Sequence, residues 1–238
     1  MAYILQHPNF ALGNFINITP AIAYYYKKLR QPLQVYFSTE YVRQCFLDWP
    51  AIEILSEKPP GVPWFSSELV NHANDRPDYQ HAFELATGTA WTPDFHTYVD
   101  TPKMDRLELE AWDGCIVVTN GAGNNSPEYV ATKDPGKAAF VRAVADARKA
   151  YKKARVIGTG STDDLRRNPW LKDVCDECYF GDIRRSLKII SVATFVIAND
   201  TGLAHAAGAM NAPLMVLMVN TPRERVKNPG VNTEYVYL

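Results

Sequence analysis

Seven residues, Asn199-Asp200-Thr201-Gly202-Leu203-Ala204-His205, carry the clearest chemistry in the chain. An apolar run, Phe-Val-Ile-Ala at 195–198, leads into them, and a small-residue run, Ala206-Ala207-Gly208-Ala209, leaves. This pattern predicts a buried strand, a tight loop and a helix packed close to a sheet. The first amides of such a helix have no partner within it and carry partial positive charge. They suit a phosphate. Gly202 permits close backbone approach, the Thr201 hydroxyl adds a donor, and His205 lies one turn on, within reach of the same anion. Asp-Thr-Gly also occurs in aspartic proteases, but those are β proteins and lack this helix.

Positive charge for a leaving diphosphate has a second source. No Asp-x-Asp occurs in the chain to bridge a metal to a pyrophosphate, so protein cations are needed. Lys133, Arg184 and Arg185 are the candidates. Lys133 has the better case, because it follows the Gly121-Ala122-Gly123 loop. A second glycine pair, Gly158 and Gly160, departs from Gly-x-Gly-x-x-Gly at Asp163 and reads as a loop near the nucleotide base or ribose, not as a dinucleotide fingerprint.

The elements that must position these groups alternate along the chain. Strands are expected at 3–6, 33–37 and 52–55, with helices to about Leu29 and over 40–48. Thr19-Pro20 marks a possible restart of the first helix, after a loop containing Gly13. From Cys115 on, five strands are expected at 115–119, 155–157, 178–180, 195–198 and 214–218. Helices fall near 136–151, 163–172, 183–193 and 202–210. Strand–helix alternation makes parallel sheets. Residues 87–105, rich in proline and aromatics, read as an interdomain linker or a cleft wall. The expected architecture is α/β with two Rossmann-like domains, 1–112 and 113–238, built as two copies of one plan around a central cleft.

Residues 181–213, with Asp-Thr-Gly-x-x-His, the small residues after it and Pro213, resemble the donor-site region of the heptosyltransferase-like glycosyltransferases of family 9. Leu12 through Ile22 resembles that family's first loop and helix, and Asn120 through Lys133 its first C-domain loop. The resemblance implies a GT-B fold and metal-independent inverting transfer from a nucleotide-diphosphate sugar to an acceptor hydroxyl. It implies phosphate or donor contacts from Asp200, Thr201, Gly202, Leu203, His205, Lys133, Gly121 and Gly123. Nucleotide contacts then fall to Gly158, Gly160, Asp182 and Ile183.

One departure matters. The family usually has Gly-Asp where this chain has Gly13-Asn14, and the aspartate is its presumed base. An amide cannot take a proton near neutral pH. Another carboxylate serves instead, with Glu40, Asp75, Asp78 and Asp94 as candidates, or the acceptor needs little base, or the chain binds nucleotide sugar without transferring it.

Composition bounds the rest. A 47% apolar chain of 238 residues builds a real core, and a net charge of −1 excludes a general polyanion binder. The basic run Arg148 through Arg155 closes a helix; a solvated face is expected there, with an anionic membrane or nucleic-acid acceptor as the alternative. Four cysteines, with only Cys175 and Cys178 close, point to free thiols rather than a zinc site. No cofactor beyond the donor substrate is expected. The expected partners are a nucleotide sugar and a glycan or glycolipid acceptor, with nucleic acid and peripheral membrane contact as alternatives. No membrane span is read, and the expected location is the cytoplasm.

Overall fold

The computed structural model describes residues 3–6, 11–61, 76–121, 131–222 and 233–238. The N-terminal elements are β1 (Tyr3–Gln6), α1 (Leu12–Leu29), β2 (Leu33–Phe37), α2 (Glu40–Arg43), β3 (Ile52–Ile54) and α3 (Asp78–Thr87). After α4 (Arg106–Trp112) come β4 (Ile116–Thr119), α5 (Gly136–Ala150), β5 (Val156–Gly160), α6 (Thr162–Arg167) and α7 (Leu171–Val174). The chain continues through β6 (Glu177–Phe180), α8 (Ile183–Ser191), β7 (Phe195–Asn199), α9 (Gly202–Ala209), β8 (Leu214–Met218) and β9 (Thr233–Tyr237).

The first sheet has three parallel strands in the order β1-β2-β3. Its core is aromatic. Phe15 of α1 packs on Phe37 and Phe46 at ring distances of 4.8 and 4.7 Å, and Trp49 stacks on Tyr98 at 4.6 Å. The aromatic stretch 87–105 packs on this half: Phe95 stacks on Phe83 of α3 and meets Tyr24 of α1.

α1 begins at Leu12, so Gly13 and Asn14 lie in its first turn rather than in a loop. It also runs unbroken through Pro20, where a restart was expected. Proline removes the N–H that would bond the Ile16 carbonyl. The Thr19 hydroxyl replaces it, donating to Ile16 O at 2.7 Å. The Thr19 hydroxyl oxygen in turn accepts the Tyr98 amide at 2.7 Å, so the repair also pins the aromatic stretch to the helix.

The second sheet has six parallel strands in the order β6-β5-β4-β7-β8-β9. Every residue of β4 is buried, as expected of a central strand covered on both faces. In chain order this is 3-2-1-4-5-6, the Rossmann order, and its topological switch point lies between β4 and β7. β9 is a sixth strand beyond the five expected, paired in parallel with β8. The helix expected over 163–172 is two short ones, because Pro169 interrupts it. Among the described residues the first half contributes three strands and the second six.

Two basic side chains of α8 are among the groups that join the halves. Arg184 of α8 donates to Gln44 O at 3.0 Å and pairs with Asp48 at 2.7 Å and Asp100 at 3.4 Å. Lys188 pairs with Glu108 of α4 at 2.7 Å. Burial pushes the Asp100 carboxyl above its ordinary value, although the Asp48 amide, the Tyr98 hydroxyl and Arg184 pull the other way.

Candidate functional site

The site is built at the switch point. The register pairs Thr119 of β4 with Ala198 of β7, so Asn120 and Asn199 leave the sheet side by side. Asn199 is buried and ties three loop groups together. Its side-chain oxygen accepts the Gly121 amide at 3.1 Å, and its NH₂ donates to Gly121 O at 2.9 Å and Lys133 O at 3.1 Å. Asn120 donates to Asp134 and Asn168, both at 3.1 Å, and Asn168 returns a bond to Asn120 O. These asparagines hold the loop after β4 against the loop after β7. The sequence reading included Asn199 and Asn120 in the two runs it singled out but gave neither side chain a role, though amides at the ends of adjacent inner strands were a usable signal.

The clamp delivers Lys133 to Asp200. The ammonium lies 2.6 Å from Asp200 Oδ2, which also accepts the Thr221 hydroxyl at 2.8 Å. His205 Nε2 is 3.7 Å from Oδ1, beyond hydrogen-bond reach but inside Coulombic range. Burial would raise the Asp200 carboxyl, yet His205 and Lys133 together hold it well below the usual carboxylate range. Asp200 is therefore ionised and weakly basic, which fits a structural or hydroxyl-accepting anion and not a general base.

Thr201 caps α9, its oxygen accepting the Ala204 amide at 3.4 Å. Gly202 and Leu203 follow in the first turn, where amides lack intrahelical acceptors. The Leu203 side chain points into the core and is 6% exposed, so only its backbone can serve a ligand. Gly202 turns toward α1: a Cβ there would come within 3.0 Å of Leu12 Cβ and 3.4 Å of the Gly13 nitrogen. Its missing side chain makes room for the start of α1. Gly13 makes the reciprocal concession, since a Cβ there would strike His205 Cδ2 at 2.7 Å. The starts of α1 and α9 thus meet with no side chain between Gly13 and Gly202. Asn14 is half-buried in the same first turn as Gly13. His205 Nδ1 is buried and has no hydrogen-bond partner among the described residues.

The remaining expected site residues hold the following positions. Gly158 and Gly160 belong to β5, not to a nucleotide loop. A Cβ on Gly158 would meet both Cys175 and Cys178 sulfurs, at 3.1 and 3.2 Å, so this glycine serves packing. Asp182 caps α8 by accepting the Arg185 amide, and Ile183 is a core residue at 8% exposure. Arg184 is committed to the other half, and Arg185 lies over the Tyr179 ring. Gly121 is in the clamp, whereas Gly123 lies outside the described residues. Of the alternative bases, Glu40 pairs with Arg43, Asp78 is buried in α3, Asp94 is exposed, and Asp75 lies outside the described residues. Among the described residues no three His, Cys, Asp or Glu side chains group to hold a metal ion.

Comparison with known proteins follows this geometry. Residues 182–238 match the sequence model of Glycosyltransferase family 9 (heptosyltransferase). A sequence comparison with curated proteins gives no match. Among solved structures, E. coli ADP-heptose lps heptosyltransferase II superposes with a TM-score of 0.71 at 12% identity, covering 99% of this chain and 90% of that one. The family 9 glycosyl transferase from Veillonella parvula gives 0.72 at 13% identity, covering 100% and 85%. E. coli heptosyltransferase WaaC, solved with ADP-2-deoxy-2-fluoro heptose, gives 0.63 at 12% identity, covering 99% and 92%. The chain therefore resembles glycosyltransferase family 9 in its C-terminal sequence, and its α/β fold is that of the GT-B heptosyltransferases.

Proposed function

We propose that the chain is a glycosyltransferase that takes a sugar from a nucleotide-diphosphate sugar and transfers it, with inversion and without a metal, to an acceptor hydroxyl. One observation carries this reading: the starts of α1 and α9 meet at Gly13 and Gly202, with His205 one turn on and the Lys133–Asp200 pair just before α9. Two positive helix ends in contact repel unless an anion lies between or beside them. A diphosphate supplies that anion, and Lys133 adds the charge that a divalent ion would otherwise bring. No cofactor beyond the donor is needed for this chemistry.

In this reading residues 113–238 hold the donor and residues 1–112 offer the acceptor side of the cleft between them. The solved relatives bind ADP and ADP-heptose analogues, one being named for lipopolysaccharide, so an ADP-linked sugar and a glycolipid acceptor are the first candidates. The four free cysteines fit the reducing cytoplasm.

The test is a thermal-shift screen of ADP-, UDP- and GDP-sugars in the presence of a chelator. A donor at 100 times its Kd should stabilise the fold by about 2.7 kcal/mol. Lys133→Ala and Thr201→Val should each weaken that shift. A screen in which no nucleoside-diphosphate sugar shifts the transition removes the proposal.

Asn14 favours a second reading, a nucleotide-sugar binder without transfer. Turnover separates them. If another group is the base, Asn14→Ala lowers the rate about tenfold to a few hundredfold through lost orientation. If the chain only binds, the wild type is inactive and Asn14→Asp restores a carboxylate where the resembled family has one.

A further inference from the structure

Cys175 and Cys178 are the cysteines that lie close in sequence, and the donor reading gives them no role. The structure brings their sulfurs together. Cys175 follows α7 in an extended conformation, the chain bends at Asp176, and Cys178 lies in β6. Both side chains reach β5, where Gly158 pairs with Cys178. A Cβ on Gly158 would lie 3.1 Å from the Cys175 sulfur and 3.2 Å from the Cys178 sulfur, so the two sulfurs crowd one methyl-sized space. The Cys175 thiol donates to the Cys178 sulfur.

Three features set this pair apart from cysteines that only fill space. The first is rigidity. The Asp176 amide donates to Val156 O, and its carboxylate accepts the Val156 amide, both at 2.8 Å. Arg148 holds the other carboxylate oxygen at 2.8 Å, and the Cys175 amide donates to Leu171 O at 2.9 Å. The bend between the sulfurs is thus fixed, and groups held in contact react at a high effective concentration. The second feature is access. Cys175 is buried, but Cys178 is half-buried. Cys45 and Cys115, by contrast, are sealed in the other core cluster. The third is asymmetry. Burial pushes both thiols above their ordinary value, but the contact between them raises Cys175 further and draws Cys178 back down, as Lys172 also does. Cys178 is therefore the entry thiol, and Cys175 waits behind it.

Cys-x-x-Cys beside a strand–helix–strand unit is a redox arrangement. Among the described residues no third His, Cys, Asp or Glu side chain joins the pair to complete a metal site. We propose that Cys175 and Cys178 are a redox-active dithiol that closes to an intramolecular disulfide by exchange with a small disulfide such as oxidised glutathione. The Cys178 thiolate attacks one sulfur of that disulfide, its S–S bond breaks, and one glutathione thiolate leaves. Cys175 then gives up its proton and attacks the Cys178 sulfur, and the mixed disulfide breaks to release the second glutathione. Two protein thiols lose two electrons and two protons, and one glutathione disulfide becomes two glutathiones. Reduced glutathione in excess runs the same exchange backwards. The inference does not depend on the donor reading.

The experiment treats the folded, reduced full chain with oxidised glutathione, traps free thiols by alkylation and maps the product by mass spectrometry. The wild type should lose two hydrogens, both within the tryptic peptide 173–184, and dithiothreitol should restore them. Cys175→Ser should stop at a stable glutathione adduct on Cys178, because the second step has lost its nucleophile. Cys178→Ser should leave Cys175 to react about tenfold more slowly or not at all. Asp176→Ala, which frees the bend, should slow closure severalfold. Circular dichroism checks that each variant is folded, and the wild-type map stands without any of them. Nucleotide-sugar thermal shifts should be the same for reduced wild type and Cys178→Ser, so failure here is separable from failure of the donor site. No disulfide in the wild type, a disulfide to Cys45 or Cys115, or a Cys175 that takes glutathione faster than Cys178 would overturn the proposal.

Discussion

The two halves solve the same packing problem with different means. Around β1–β3 the chain has little sheet and fills the space with rings: Phe15, Phe37, Phe46, Trp49 and Tyr98. Around β4–β9 it has a full sheet, apolar on both faces, and spends its polar residues at one end of it, in Asn199, Lys133, Asp200 and Thr221. The aromatic core of the first half is thus held by contacts that do not titrate, and the polar end of the second by a network that does. The comparison teaches that stability and site chemistry are separable in the first half and the same thing in the second.

Four substitutions put that to work. The largest loss is expected from Phe15→Ala, about 3–5 kcal/mol in chemical denaturation, because a fully buried ring shared by two neighbours leaves a cavity. That loss should be the same at pH 7 and pH 4. Asp200→Asn comes next, about 3 kcal/mol at pH 7, since Lys133 is left without its counter-charge. Here the cost should depend on pH. The folded carboxyl lies below its unfolded value, so its contribution is complete above the ordinary carboxylate pKa near 4 and fades as pH falls below it. Denaturation of both variants across that window checks the contrast; parallel pH profiles would erase it.

Thr19→Val is expected to cost about 1–3 kcal/mol, because the Ile16 carbonyl and the Tyr98 amide lose a shared partner. Hydrogen exchange at Tyr98 should rise with it. Arg148→Ala is the smallest, within about 0.5 kcal/mol, since its pair with Asp176 is an exposed one. A larger loss would mean that the basic run does structural work.

Much of the sheet was legible from apolar runs: β2 and β8 begin and end where the periodicity places them. β9 was not, because Thr-Glu-Tyr-Val-Tyr alternates too weakly to stand out at a chain end. α4 hid in the expected boundary despite the capping box of Asp105 and Glu108. At the site, the Asp200-Thr201-Gly202 turn was read correctly as strand, loop and helix, because its signal is local. The asparagine clamp and the facing glycines were invisible for the opposite reason. Asn199 meets Gly121 and Gly202 meets Leu12 only after the sheet and the two halves assemble, and no window along the chain contains both partners.

The repair at Pro20 has a mechanical consequence. A proline in a helix is ordinarily a joint, because the lost bond lets the two segments bend. With Thr19 bridging the gap and Tyr98 bracing it, α1 acts as a single stiff lever of 18 residues, about 27 Å long. Its short arm rests on His205 through Gly13, and its long arm carries Arg30. A tilt of about 5° at the short arm moves the far end by about 2 Å, so a ligand that shifts the start of α1 beside Gly13 and Gly202 is felt at the far end of the same helix.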